Sequence, residues 1–476
     1  MKKKDEFVII GAGPSGLAAA YELQKQNKKI DIFEKSKSLG GLARSIKFKK
    51  CIFDIGPHRF FTLNDEIDAL YSKILGDQQI KVKRLTRIFY KKKFFLYPIS
   101  IFNTLFNIGI FSSIMIVLSY LNSLLKKKIF KYKIKNFEDW IVMNFGRKLF
   151  LTFFKSYTEK VWGIDCKDIS KDWAAQRIKN LNFFQAVFNA LFSNFRKKTI
   201  KTLVDEFKYP KYGAGHFYKK IFSKTNLNSG KLNYKHELIR INHKNRYVHS
   251  VDFKVNNKIK RIHGKHFLLS SPFTEIFKFM SPSPPKRIMK MVENLNYRNH
   301  ICVQLIVKGD MFKDNWIYVH DSSVKMARLA NYNNFSKEMS YSKNVHPITV
   351  EYFVYEKDKL WNYSDLELKD FAEKELRKTG IFLKKNKILD FFIVKSKNAY
   401  PVIRKGNDKY VNVLKDYINS FSNLYPIGRS GMFKYNNQDH ALATGIYTAR
   451  NIIGEKKIDT WKINTDAVYS EEKKIN

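Results

Sequence analysis

Apolar positions along this chain switch between a strand-like and a helix-like period, and the switches mark out its elements. Residues 6–10 form a short apolar run that reads as a buried strand. A glycine-rich turn follows, then a helical pattern over residues 15–26 and a second strand-like run at 30–33. Strand, turn, helix, strand is a βαβ unit, which predicts a parallel sheet with a right-handed crossover. The most apolar stretch is residues 99–125, where Ser100, Asn103, Thr104 and Asn107 fall on one helical stripe and Gly109 interrupts or bends the helix. A spanning helix needs about 20 nearly uninterrupted apolar residues, and this stretch carries nine Ser, Thr or Asn. Helices packed within a lobe are the first reading, an interfacial membrane anchor the second and a true membrane span the third.

Farther on, residues 137–194 stay helical and aromatic-rich. Residues 232–255 read as a strand pair and 265–271 as a strand ending at Pro272. The β-rich runs at 301–307, 349–355 and 391–395 predict a second, antiparallel sheet, and 365–378 a charged surface helix. There is no internal repeat and no low-complexity linker.

Composition adds bounds. At 476 residues the chain is long enough for two or three lobes. Its 88 Lys plus Arg against 43 Asp plus Glu give a net charge of +45. That excess is spread along a chain rich in Lys, Asn, Ile and Phe, which fits compositional bias first and an acidic membrane surface second. No nucleic-acid-binding motif accompanies it, so nucleic acid is excluded as a partner. Cys51, Cys166 and Cys302 are scattered without metal-type spacing, which reads as reduced thiols in a cytosolic compartment and no metal site. Met1 to Lys4 followed by an apolar run imitates a signal peptide, but Gly11, Gly13, Pro14 and Gly16 break the apolar region.

The chemistry begins in that turn. In Gly11-x-Gly13-x-x-Gly16 the first glycine permits the tight turn, the second lets backbone approach a pyrophosphate, and the third lets helix and strand pack closely. Pro14 and Ser15 open the helix whose N-terminal N–H groups face the phosphates. Glu34, followed by Lys35, ends the second strand and is placed to accept from ribose hydroxyls. Leu39-Gly40-Gly41-Leu42-Ala43-Arg44 then resembles the extension found in flavoproteins of the glutathione-reductase type. Near the other end stands Pro426-Ile427-Gly428-Arg429-Ser430-Gly431, followed by Tyr435, Asn437 and Gln438. The two signatures together indicate FAD, held jointly by opposite ends of one chain.

On these motifs the chain is similar, from Phe7 to about Ile453, to the flavoprotein superfamily of amine oxidases, protoporphyrinogen oxidases and UDP-galactopyranose mutases, above all to the mutase branch. Gly56-Pro57-His58-Arg59-Phe60-Phe61-Thr62 resembles the mutase histidine loop beside the flavin ring. Tyr157 and Trp162 resemble the aromatic pair bordering the nucleotide-sugar cleft. Arg328, Tyr400, Arg429 and Tyr435 match contacts to a substrate diphosphate. The resemblance thus implies catalytic roles for His58, Arg328, Tyr400, Arg429 and Tyr435, and substrate binding by Tyr157, Trp162 and Arg177. It also implies cofactor contacts from the residues above and from Leu238. The chain departs from the mutase pattern at Phe61, where the mutase loop has a second histidine, and at Asn437, which replaces an acid. The mobile loop keeps Arg177 but not the second arginine.

The expected fold class is α/β: a discontinuous Rossmann-like FAD-binding domain of glutathione-reductase type (residues 1–88, 205–284 and 418–460), a helical lobe (89–204), an antiparallel-sheet substrate lobe (285–417) and a tail (461–476). Three functions compete. The first is a mutase-like enzyme acting on a nucleotide- or lipid-linked sugar for surface polysaccharide, with flavin as covalent catalyst. The second is an oxidase or dehydrogenase acting on a lipophilic substrate, and the third a non-catalytic flavin carrier in a glycan-assembly complex. Partner expectations are a diphosphate-bearing small molecule or lipid, a homodimer, and peripheral membrane contact through 99–125. The expected location is cytoplasmic, at or near the inner membrane face.

Overall fold

The computed structural model describes residues 6–97, 107–129, 132–171, 173, 206–455 and 457–464. Its first layer is a parallel sheet in the order Leu424–Pro426, His266–Leu269, Glu6–Ile10, Lys29–Phe33, Leu232–Asn233. The central strand buries Phe7 to Ile10 on both faces, which is why its sequence is a continuous apolar run rather than an alternation. The first helix, Pro14–Leu23, starts with proline, whose missing N–H costs nothing at that position. The last long helix, Gln438–Ile453, lies against it. A Cβ on Gly445 would stand 2.1 Å from the Ser15 carbonyl oxygen, and one on Gly16 would stand 2.0 Å from that of Gly11. Only hydrogen side chains permit this approach.

A seven-stranded sheet forms the second layer, in the order Lys387–Pro401, Tyr297–Lys308, Val345–Val354, Arg328–Asn331, Trp316–Val319, Thr86–Tyr90, Lys93–Leu96. Every pair in it is antiparallel except Trp316–Val319 with Thr86–Tyr90. Ile301, Val303, Leu305, Ile348 and Val350 share a cluster with Leu368, Ala372 and Leu376 of the helix Asp365–Thr379. The alternate positions His300, Cys302, Gln304, Thr349 and Glu351 are also buried, but on the side that hydrogen-bonds toward residues 54 and 328. A third group of helices, Ile110–Ile129, Phe137–Phe145 and Lys155–Trp162, joins through a π-helical turn at Phe150–Phe154 around Phe137, Ile141, Phe150 and Phe153.

The structure moves three of the expected domain boundaries. The boundary at 88/89 falls inside the strand Thr86–Tyr90, whose hairpin partner Lys93–Leu96 completes the seven-stranded sheet, so the helical lobe starts later. The helices Lys286–Glu293 and Asn407–Asn419 bury Ile288, Val292, Leu414 and Ile418 with Leu269, Phe273 and Phe277, so both ends of the 285–417 lobe belong with the parallel-sheet core. At the start of the expected tail, Trp461 packs edge-on to Phe273 at 5.8 Å; residues 465–476 lie outside the described residues. The pair expected at 232–255 is part of a four-stranded sheet that adds Lys258–His263 and Met280–Ser281. Gly109, at φ +93°, stands immediately before the helix Ile110–Ile129, while Ser100, Asn103 and Thr104 lie outside the described residues. The helical stretch expected to 194 is described only as far as residue 173.

Gly445→Ala places a methyl group where no space exists. It is expected to lower unfolding stability by about 1–3 kcal/mol, read as a fall in the denaturation midpoint. An unchanged midpoint would contradict this packing.

Candidate functional site

One cleft of about 810 Å³ runs from the glycine turn of the first βαβ unit to the polar side of the seven-stranded sheet. Gly11, Gly13, Pro14, Ser15, Gly41, Leu42 and Arg44 line one end. The Glu34 carboxylate there is fixed by two backbone donors, the Ala12 N–H to Oε2 and the Ser36 N–H to Oε1, both at 2.8 Å. Two glycine turns meet across the opening: a Cβ on Gly41 would stand 3.2 Å from the Gly13 Cα, and Gly40 N–H donates to the Ala12 carbonyl at 2.8 Å. Arg44 Nη1 donates to the Gly41 carbonyl at 2.8 Å and locks the second turn.

Gly16, Gly40 and Gly428 sit behind this wall rather than on it. A Cβ on Gly428 would stand 2.4 Å from Ser15 Oγ, so this glycine packs the C-terminal signature onto the first helix. Lys35 and Leu238 line the cleft, with the exposed Lys35 ammonium paired to Glu237 at 2.7 Å. Asn437 caps the helix Gln438–Ile453. Gln438 accepts from the Tyr218 hydroxyl at 2.7 Å and donates to the His58 and Arg59 carbonyls at 3.3 Å, bracing the histidine loop. Buried polar atoms on cleft-lining residues, among them His236 Nε2 and Asn436 Nδ2, have no hydrogen-bond partner among the described residues. A cradle of facing glycines, a backbone-anchored acid and unpartnered polar atoms fits the dinucleotide part of FAD.

At the other end, His58 Nδ1–H donates to the Gly56 carbonyl at 2.9 Å. Burial, with Arg429 and Arg328 nearby, holds His58 down to about 4, so at neutral pH its Nε2 is a lone-pair acceptor. Gly56 has φ +82°, and a Cβ there would stand 2.6 Å from Glu351 Oε2, so the loop presses directly on the sheet. Glu351 is fully buried. It accepts from Arg328 Nε at 3.0 Å and Nη2 at 2.5 Å, and from His300 Nε2 at 2.8 Å. Burial pushes its carboxyl upward, but Arg328 and His300 outweigh that and hold it down to about 2. Arg328 Nη2 also donates to the Tyr400 hydroxyl at 3.1 Å. The Arg429 guanidinium lies 5.1 Å from the Tyr400 ring and 4.9 Å from the Tyr435 ring, and its Nε donates to the Asn436 carbonyl at 2.7 Å.

The structure therefore brings His58, Arg328, Tyr400, Arg429 and Tyr435 to one cleft. It does not bring Trp162 there. That ring is 2% exposed and packs edge-on to Trp173 at 5.2 Å and to Tyr435 at 5.6 Å, so it supports the wall from within the helical core, which corrects the expected substrate contact. Tyr157 is also one layer back, stacked on His320 at 4.6 Å and edge-on to the cleft residue Tyr318 at 5.4 Å. Arg177 lies outside the described residues.

Sequence reasoning missed Glu351, His300 and Asp54. Asp54 accepts from Ser45 Oγ at 2.5 Å, the Tyr209 hydroxyl at 2.6 Å and the Ala214 N–H at 3.1 Å, joining the loop to the helix Gly215–Ser223. A signal was present: polar residues recur at every second position in two otherwise apolar strands, at 300, 302 and 304 and at 349 and 351. Such alternation marks a sheet face that is buried yet polar.

This fold and cleft define a protein of the FAD-binding flavoenzyme fold class. Residues 9–74 match the NAD(P)-binding Rossmann-like domain family. Curated relatives match over short segments: a 1-hydroxycarotenoid 3,4-desaturase of Flavobacterium sp. (strain P99-3) is 42% identical over 64 residues, 13% of either chain. Protoporphyrinogen oxidase 2 of Arabidopsis thaliana is 33% identical over 86 residues, 18% of this chain and 16% of that protein. Both matches thus span less than a fifth of those proteins. A crystal structure of reduced UDP-galactopyranose mutase superposes over 97% of this chain and 99% of its own, with a TM-score of 0.83 at 18% identity. The fold is shared over nearly the whole length.

Glu351→Gln leaves the Arg328 charge buried without its counterion, at an expected cost of about 3–5 kcal/mol. The depressed carboxyl contributes stability above its ordinary value of 4.5, and this contribution is lost as pH falls toward about 2. The stability difference between wild type and variant, measured by urea unfolding, should shrink across that window. A pH-independent difference would refute the pairing.

Proposed function

We propose that this protein is an FAD-dependent enzyme acting on a sugar carried by a diphosphate, nucleotide-linked or lipid-linked, in surface-polysaccharide synthesis. One observation carries the reading. Arg328 is already neutralised by Glu351, whereas Arg429 has no carboxylate partner among the described residues and stands in the cleft between two phenol rings. A cleft with an uncompensated guanidinium favours an anionic ligand, and a diphosphate suits guanidinium and phenol donors that converge.

The side chains divide the work. Tyr400 accepts from Arg328, so its own hydrogen remains to donate into the cleft. Arg429 balances charge that develops on a departing diphosphate, and Arg328, held rigid by Glu351, fixes the Tyr400 hydroxyl. Neutral His58 adds no charge and offers an acceptor. FAD, when bound and reduced, would supply a nucleophilic ring nitrogen. Superposition on a mutase over 97% of this chain at TM-score 0.83, against 0.70 for a putative protoporphyrinogen oxidase, supports this reading.

Dithionite-reduced protein incubated with UDP- and dTDP-sugars should yield sugars of altered ring size. Arg429→Ala should lower kcat/KM by about 10²–10³-fold while the preparation stays yellow. Absence of ring isomerisation and of any sugar-dependent flavin spectral change, with bleaching by a lipophilic hydride donor instead, would replace this reading with an oxidase.

A further inference from the structure

The helix Ile110–Ile129 takes no part in the cleft, yet it carries the largest exposed apolar side chains of the described structure. Its inner face is Ile116, Tyr120 and Ser123. Ile116 and Tyr120 pack into the cluster of Phe137, Ile141 and Phe145, and the Tyr120 backbone presses so closely on Gly146 that a Cβ there would meet its nitrogen at 2.8 Å. The outer face is unlike that of an ordinary surface helix. Ile110 and Phe111 are 82% and 80% exposed, Leu118 is 55% and Leu125 is 57% exposed, and Ile114 and Leu121 lie on the same side. At 3.6 residues per turn these positions fall within an arc of about 100° opposite the packed face. Soluble proteins seldom leave such a contiguous stripe to water.

Charge identifies what covers it. No Asp or Glu occurs anywhere between Asp77 and Glu138, in a segment rich in lysine and arginine. Exposed Lys126, Lys127 and Lys128 follow the stripe at the helix C-terminal end. At the other end, the hairpin turn of Lys91 and Lys92 is brought alongside by Lys93, whose Nζ donates to the Asn107 carbonyl at 2.7 Å. Lysines thus flank an apolar ridge at both ends with no acidic residue in the segment.

We propose that this face docks the protein on an anionic lipid surface. The helix lies in the interface plane with its apolar arc among the acyl chains and its flanking ammonium groups at the lipid phosphates. It is the one helix among the described residues long and apolar enough to cross a membrane. Its inner face, however, is locked onto Phe137–Phe145 and cannot turn to lipid without unpacking that core. It lies on the membrane rather than through it. This inference stands apart from the proposed chemistry and is tested without it.

The full-length flavoprotein is pelleted with vesicles of phosphatidylcholine alone and of phosphatidylcholine with phosphatidylglycerol. Strong binding is expected only to the anionic vesicles, falling as salt rises. The double substitution Phe111→Ser with Leu118→Ser should lower partitioning at least about tenfold. Both side chains are exposed, so flavin content and thermal midpoint should not change. The triple substitution Lys126→Gln, Lys127→Gln and Lys128→Gln should lower binding to anionic vesicles and leave the weak binding to neutral ones unaltered. Equal recovery with and without vesicles would overturn the proposal. So would a dimer in sedimentation velocity that the serine pair abolishes, which assigns the face to a second copy. Resistance to alkaline carbonate extraction from cell membranes would overturn the in-plane geometry.

Discussion

Helices from opposite ends of the chain meet backbone to backbone where Gly445 lies on Ser15, and the site depends on that contact. The glycine at 428 closes against Ser15 in the same way. With the C-terminal helix seated there, Gln438 reaches the histidine loop and Arg429 reaches the two tyrosines. A larger side chain at Gly445 or Gly428 would separate the pyrophosphate turn from the groups expected to handle substrate. The cofactor-binding turn and the cationic end are therefore one construction, even though they arise from separate motifs.

The second organising feature is how the cleft handles positive charge. A buried carboxylate, Glu351, balances Arg328 and draws in His300, while Arg429 has no carboxylate partner among the described residues. Glu351 also lies directly beneath Gly56, so the same residue sets the height of the histidine loop. Burial keeps His58 neutral, so the charge available to a ligand stays on guanidinium groups that cannot be deprotonated at physiological pH. The helical group contributes support rather than contacts: Trp162 and Tyr157 hold Tyr435 and Tyr318 from behind.

The outer helix obeys a different constraint. Its inward face packs Ile116 and Tyr120 into the helical core, while its outward face is apolar where a soluble helix would be charged. Adjacent lysines flank that face, whereas the helix Asp365–Thr379 carries mixed ion pairs such as Lys369–Glu373 and Arg377–Glu373.

Residues with strong local reasons could be read from the sequence. The buried run at 6–10, the glycine turn, Glu34 and the capped helix Asp365–Thr379 are fixed by backbone sterics, period and capping, which act over a few neighbours. The flavin signatures belong to this group, because phosphate binding at a turn is a local property. The domain edges, the withdrawal of Trp162 and Tyr157 from the cleft, and the pairing of Arg328 with Glu351 were decided only by tertiary structure. Each depends on which of two faces of an element meets a partner far away in sequence. Local pattern cannot choose between a polar sheet face turned to water and one turned to a cofactor, because the alternation is identical in both. The choice falls to long-range packing, here the antiparallel register that sets Cys302 opposite Glu351 and turns both toward the loop at Gly56.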